Sequence, residues 1–143
     1  MSAQYFKTIH QIITTGHWVT HQVSLALKEF GITEPQYNVL RALQEAKGEP
    51  LTVEEILSKM VQRNSNVTRI VDKLLTKGYV ERKECPSNRR KMDITITDLG
   101  IKDLRIFEQK VISFHQPMMD NLTEEELHQL NHLIKKLKSH HNE

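Results

Sequence analysis

The feature that most restricts the fold is a short, sharply bounded amphipathic segment in the middle of the chain. Gln62-Arg63-Asn64-Ser65 supplies turn and N-cap residues, apolar side chains follow at Val67, Ile70, Val71, Leu74 and Leu75, and Gly78 stands where a C-cap belongs. Just before it, Gly48-Glu49-Pro50 breaks the chain, and Thr52 with Glu55 three residues later caps another short helix carrying Val53, Ile56, Leu57 and Met60 on one side. Two short helices joined by a polar turn, the second with small polar and basic residues on its free face, have the pattern of a helix-turn-helix.

The flanking sequence extends this unit. Residues 5 to 30 carry Tyr5, Ile9, Ile12, Gly16, Val19, Val23, Ala26 and Phe30 in alternating steps of four and three, one stripe of a long helix. The stripe is longer than one small domain usually covers and so predicts partial packing against another subunit, an ordinary core helix being the other reading. Gly31 ends it, and Thr33-Glu34-Pro35-Gln36 then offers an N-cap, a first-turn proline and a capping-box Gln ahead of Val39, Leu40 and Leu43. After the central helix, 79–82 and 93–97 alternate as strands, separated by ten residues with Pro86, Ser87 and Asn88, which predicts a hairpin with a long basic tip. A fifth helix runs from Asp98 or Leu99 through Leu104, Phe107, Val111, Phe114 and Met118 to about Asp120-Asn121. A sixth opens on the capping box Thr123 and Glu126 and carries Leu127, Leu130, Leu133, Ile134 and Leu137, with Lys135, Lys136 and Lys138 at the negative end of its dipole. The predicted class is mainly α with a small β-hairpin wing: a winged helix-turn-helix at 33–97 and a helical dimerisation region at 1–32 and 98–143.

Charge separates this middle from its flanks. The 143 residues carry a net +2, yet 63–91 alone carries nine basic and three acidic residues, +6, which leaves −4 for the rest. A basic centre between acidic ends suits a chain whose middle alone meets phosphate, although basic patches also serve solubility. At 38% hydrophobic and 27% charged residues the composition is that of a globular protein, with no run near the roughly 20 apolar residues of a membrane span. Nothing in Met1-Ser2-Ala3-Gln4-Tyr5-Phe6 reads as a secretory signal, and cytoplasm is the expected compartment. The lone Cys85 excludes an intrachain disulfide framework and a zinc site built from several cysteines. Without a phosphate-binding glycine loop, a nucleophile elbow or an HExxH motif, the chain is not expected to be an enzyme, and no cofactor is expected.

From Gly31 to Gly100 specific residues resemble the MarR family of bacterial transcription regulators. They are Ile32-Thr33-Glu34-Pro35-Gln36-Tyr37-Asn38-Val39-Leu40, Val67-Thr68-Arg69-Ile70-Val71-Asp72-Lys73-Leu74, Gly78-Tyr79-Val80-Glu81-Arg82, and then Cys85-Pro86-Ser87-Asn88-Arg89-Arg90 and Ile96-Thr97-Asp98-Leu99-Gly100. The last two stand where the family has Asp-Pro-x-Asp-Arg-Arg and Leu-Thr-x-x-Gly, with Cys85 and Asn88 in place of the two aspartates. The resemblance implies a homodimer on a pseudo-palindromic operator, with the fourth helix of each copy in a major groove and each wing reaching toward the flanking minor groove. It also implies a repressor released by a small aromatic or lipophilic effector.

On the fourth helix the core takes Val67, Ile70, Val71 and Leu74, leaving Ser65, Asn66, Thr68, Arg69 and Lys73 toward DNA. Arg69 suits bidentate pairing with guanine, Asn66 with adenine, Thr68 a thymine methyl and Lys73 phosphate, while Ser65 and Asn66 also serve as helix caps. By the resemblance Arg89 and Arg90 occupy the wing tip, where a guanidinium suits the negative potential of a narrow minor groove. His17, Trp18, His21 and Tyr37 fall where family members hold small aromatic or lipophilic ligands, an aromatic core contact being the other reading. His17 and His21, and likewise His128 and His132, are four residues apart on one helix face, and His115 lies on the fifth helix. These histidines raise a metal-responsive alternative, although no metal site is assigned; Cys85 beside Lys83 raises a redox-responsive one. A winged-helix protein-interaction module is the rival of a different class.

Overall fold

Three of the helices begin where a side chain and a backbone N–H satisfy each other three residues apart. Thr33 accepts from the Gln36 N–H while Gln36 Oε1 accepts from the Thr33 N–H, and Thr52 with Glu55 and Thr123 with Glu126 repeat the arrangement. The computed structural model describes residues 2–140; residue 1 and residues 141–143, the outer ends of the expected dimerisation segments, lie outside that range. The elements are α1 (Ala3–Lys28), α2 (Glu34–Glu45), α3 (Val53–Ser58), α4 (Val67–Thr76), β1 (Val80–Cys85), β2 (Asn88–Ile96), α5 (Asp98–His115), a 3₁₀ turn (Gln116–Met118) and α6 (Glu124–Leu137). They form the expected mainly helical chain with one antiparallel hairpin. The chain divides into two compact units, Met1–Val111 and Ile112–Glu143.

In the first unit the core gathers Val23 and Leu27 of α1, Val39, Leu40 and Leu43 of α2, Ile56 of α3, Val67, Val71 and Leu74 of α4, Val80 and Ile94 of the hairpin, and Leu104, Phe107 and Val111 of α5. The α1 stripe is corrected at one position and, within one copy of the chain, is covered over only part of its length. Leu27, fully buried, takes the place expected for the half-buried Ala26, and the stripe packs only from Val19 onward, while Tyr5, Phe6, Ile12 and Ile13 are exposed. The Phe107 ring meets Phe30 and Tyr79, with centroids 5.2 and 6.0 Å away. The Tyr79 hydroxyl donates to Asp103 at 2.9 Å, and burial followed by this acceptor raises its pKa to about 12.

The hairpin also departs from expectation. Instead of two short strands around a ten-residue tip, β1 and β2 run to Cys85 and from Asn88, joined by Pro86 and Ser87. The added pairs are Lys83 with Asp93 and Glu84 with Met92, and beyond them the register jumps to Cys85 with Asn88. Arg89, Arg90 and Lys91 are the three residues on β2 that the jump leaves without a β1 partner. On its other side β2 is bridged to Leu51, which exchanges backbone hydrogen bonds of 3.0 and 2.9 Å with the fully buried Ile94. The wing is thus tied to the α2–α3 linker as well as to α4.

In the second unit α5 gives way to the 3₁₀ turn at Gln116, earlier than Asp120-Asn121, because Pro117 has no N–H to continue the helix. α6 forms as expected and leaves Leu127, Leu130, Leu133, Ile134 and Leu137 between 38% and 58% exposed. Among the described residues no helix is long and apolar enough to cross a membrane.

Candidate nucleic-acid interface

α4 presents two opposite faces because its sequence does. Val67, Val71 and Leu74 are buried, and Thr68, Arg69, Asp72, Lys73 and Thr76 are exposed. The cap is Asn66, one residue beyond the predicted Gln62–Ser65 turn, and its Oδ1 accepts from the Arg69 N–H at 3.2 Å. Ser65 turns back instead, its hydroxyl donating to the Gln62 carbonyl at 2.7 Å. The cap uses one of the two lone pairs of the carboxamide oxygen, and bidentate pairing of Asn66 with adenine would have to share that oxygen with the Arg69 N–H.

Two clefts border this helix. One of about 400 Å³ is lined by Thr33, Pro35 and Gln36 of the α2 start, by Gln62, Ser65 and Asn66, and by Arg69, Ile70 and Lys73, so it gathers four of the five expected α4 readers. The other, about 300 Å³, lies between α3, α4 and the hairpin and brings Thr68 together with Arg82, Arg90 and Lys91. Arg82 donates to Asp72 at 2.8 Å and Lys91 pairs with Glu54 at 3.4 Å, so each strand of the wing makes one ion pair to the helix-turn-helix.

Arg89 and Arg90 are exposed, as a phosphate or groove contact requires, but they stand on β2 rather than in the turn. The register jump that frees them also frees Lys91, which the sequence marks only through the charge of the segment. Bulged residues re-aim side chains away from the regular pleat. Asn88 Oδ1 accepts from the Arg90 backbone N–H at 3.0 Å, so the neutral residue in the aspartate position still shapes the turn. Cys85, partly buried, has its sulfur 3.3 Å from the Ser87 hydroxyl.

The residues expected to hold a ligand occupy different surroundings. His17, Trp18 and His21 are exposed along α1, whereas Tyr37 is 4% exposed in the core, with the Arg41 guanidinium 5.9 Å from its ring centroid. Burial raises the Tyr37 pKa against the opposing pull of Arg41. Among the described residues no three His, Cys, Asp or Glu side chains come together as a metal site.

A family model described as the MarR family matches residues 30–91, the span holding α2 through the freed arginines. The multiple antibiotic resistance protein MarR of Escherichia coli K12 is 30% identical in an alignment covering 90% of this chain and 93% of that protein. Among solved structures, a cysteine-to-serine mutant of E. coli MarR complexed with operator DNA superposes with a TM-score of 0.79 at 26% identity, over 94% of this chain and 95% of that one. The organohalide-sensing regulator RdhR in its 2,4-dichlorophenol-bound form has the same fold, with a TM-score of 0.79 at 17% identity over 99% of this chain and 82% of that one. With recognition helix, wing and a full-length relative in agreement, this chain belongs to the MarR family of helix-turn-helix transcriptional regulators.

Proposed function

We propose that two copies of this chain form a homodimer that holds a pseudo-palindromic operator and represses transcription until a small aromatic or lipophilic effector releases it. The observation that carries the DNA-binding part is that Thr68 of the exposed face of α4 and Arg90 and Lys91, two of the cations the register jump frees on β2, line one cleft, with Arg89 exposed next to Arg90 on the same strand. In this reading 33–97 is the DNA-binding region, and 1–32 with 98–143 the dimerisation region. Arg69 and Thr68 read base edges in the major groove, Ser65, Asn66 and Lys73 set the helix on phosphates, and Arg89 and Arg90 reach the flanking minor groove.

Dimerisation draws support from apolar surface. α6 keeps five large aliphatic side chains in water, and α1 keeps Tyr5, Phe6, Ile12 and Ile13. Covering such surface contributes roughly 25 cal/mol per Å², and a second copy of the same chain offers a matching stripe. For the effector, support comes from the exposed aromatic and imidazole side chains of His17, Trp18 and His21 on α1, together with the 2,4-dichlorophenol bound by the similarly folded RdhR; Tyr37, buried in the core, adds none. Effector binding would act by favouring a lobe separation that does not match the half-site spacing. Moving such an equilibrium from 99:1 to 1:99 takes about 5.5 kcal/mol of differential affinity.

The test is selection of genomic fragments by the purified full chain, followed by titration of the recovered complex with phenols and other small aromatic acids. The expected product is an inverted repeat whose half-site centres are about 10 bp or a multiple apart, released by at least one aromatic compound. A folded dimer that enriches no sequence over bulk competitor would refute the DNA-binding reading and leave the winged unit as a protein-binding module.

A further inference from the structure

The exposed face of α4 contains an acid. Asp72 stands among Thr68, Arg69, Lys73 and Thr76, on the surface that the reading above gives to DNA, where a bare carboxylate repels phosphate. It is not bare, because Arg82 Nη1 on β1 reaches Asp72 Oδ1 at 2.8 Å. The two side chains remain 37% and 56% exposed, so the pair adds little to the stability of the fold. Its place in the fold is what gives it a candidate role. Arg82 pairs across the hairpin with Ile94, the residue bridged to Leu51, so a force on Arg82 acts at a point where the wing is also tied by backbone hydrogen bonds. The second ionic tie, Lys91 to Glu54 at 3.4 Å, uses one of the freed cations itself and opens if Lys91 turns to a phosphate. The Asp72 tie instead uses Arg82, which is paired with Ile94 in the ladder and is not one of the residues the register jump frees.

We propose that Asp72 and Arg82 are a positioning pair that holds the wing at a fixed angle to α4, so that both reach their grooves on one duplex at once. Asp72 acts through Arg82 and makes no contact with DNA. The proposal rests on the DNA-binding reading and adds to it a residue whose charge has the wrong sign for a direct contact. That sign supplies the discrimination. If Asp72 only adds negative charge to a DNA-facing surface, Asp72→Asn raises affinity for every duplex. If the pair positions the wing, the same change raises affinity for a scrambled duplex and lowers it for the selected one.

The experiment measures binding of the full chain to the duplex recovered by fragment selection and to a scrambled duplex of equal length, for wild type, Asp72→Asn, Arg89→Ala and the double variant. Asp72→Asn is expected to bind the selected duplex about tenfold more weakly, the scale of a lost coupling between two docking elements, and the scrambled duplex about twofold more tightly. Arg89→Ala is expected to weaken selected binding in the wild type and to do so much less once Asp72→Asn has released the wing. Unchanged or tighter binding of the selected duplex by Asp72→Asn, or an equal cost of Arg89→Ala in both backgrounds, overturns the proposal while leaving the DNA-binding reading intact. Failure of the wild type to prefer any duplex overturns both. Unfolding curves of the four proteins, expected to superimpose, exclude a loss of fold as the cause.

Discussion

Gly100→Ala is expected to destabilise the winged unit by about 2–3 kcal/mol, although alanine is the better helix former by roughly 1 kcal/mol. Gly100 is buried in the first turn of α5, where a Cβ would fall inside van der Waals contact of the Tyr79 carbonyl oxygen, 2.7 Å from Ile96 Cγ1 and 3.1 Å from the Tyr79 carbonyl carbon. None of these can move alone. The Tyr79 oxygen accepts from the Thr97 N–H at 2.9 Å, and the Thr97 hydroxyl donates to the Gly78 carbonyl at 2.7 Å while accepting from the Gly100 N–H at 3.0 Å. Making room for the methyl therefore strains the start of α5 or breaks one or two of these bonds, at about 1 kcal/mol each, on top of an overpacking cost of about 1–3 kcal/mol; offset by the propensity gain, these terms span about 1–4 kcal/mol, with the stated range at their centre. Urea and thermal unfolding followed by circular dichroism, at one fixed protein concentration, should show a midpoint about 5–10 °C below wild type. A Gly100→Ala protein that unfolds with the wild type would refute the close approach at Tyr79.

Arg69→Ala should weaken the selected duplex by about 5- to 150-fold, the range for a lost bidentate base contact, and affinity of the wild type should fall steeply with salt; a flat salt response would count against the surface assigned to DNA. The Tyr79 hydroxyl, held near 12 against an ordinary 10.0, favours the folded state below pH 10 and stops doing so as pH rises from 10 to 12. Tyr79→Phe should therefore lose less stability than wild type across that interval, and equal losses measured by unfolding at pH 9, 10.5 and 12 would refute the assignment. If the stripes on α1 and α6 are covered by a second copy, the melting temperature should rise by a few degrees for each hundredfold increase in protein concentration, and independence from concentration would argue against obligate dimerisation.

Sequence was most informative where structure is local. The three capping boxes are legible because both partners lie within one helical turn, and all three begin the helices they promised. At the start of α4, Asn64, Ser65 and Asn66 are each competent caps, and the choice falls to Asn66 because Val67 must enter the core at 2% exposure. The outer hairpin was invisible for a different reason. Its added pairs, Lys83 with Asp93 and Glu84 with Met92, belong to the backbone ladder and carry no apolar alternation. The pairing of Asp72 with Arg82, ten residues apart on a helix and a strand, has no sequence spacing that announces it. The Leu-Thr-x-x-Gly pattern entered only as a resemblance, and its physical content, a threonine cap and a glycine pressed against a carbonyl, needed coordinates.

The apolar stripes show where periodicity stops being informative in principle. A repeat of three and four residues reports that a helix face is apolar and says nothing of what covers it. Along α1 the same repeat runs from a half that reaches Val23 and Leu27 in the core to a half where Tyr5, Phe6, Ile12 and Ile13 are exposed, with no change in the pattern between them. α6 has a complete stripe, a complete cap and favourable charges at both ends, and no buried residue among those described. Its helical order is written locally, but the energy that would make a helix of this length stable is not supplied by propensity and capping, which leave short isolated helices marginal in water. That missing energy has to come from surface outside the helix, and the residues that would supply it are the ones whose periodicity reads as core. In the proposed homodimer, whose two DNA-reading lobes would have to keep a set distance, such faces would join folding to assembly, so that whatever alters how they are covered would also alter the spacing presented to DNA.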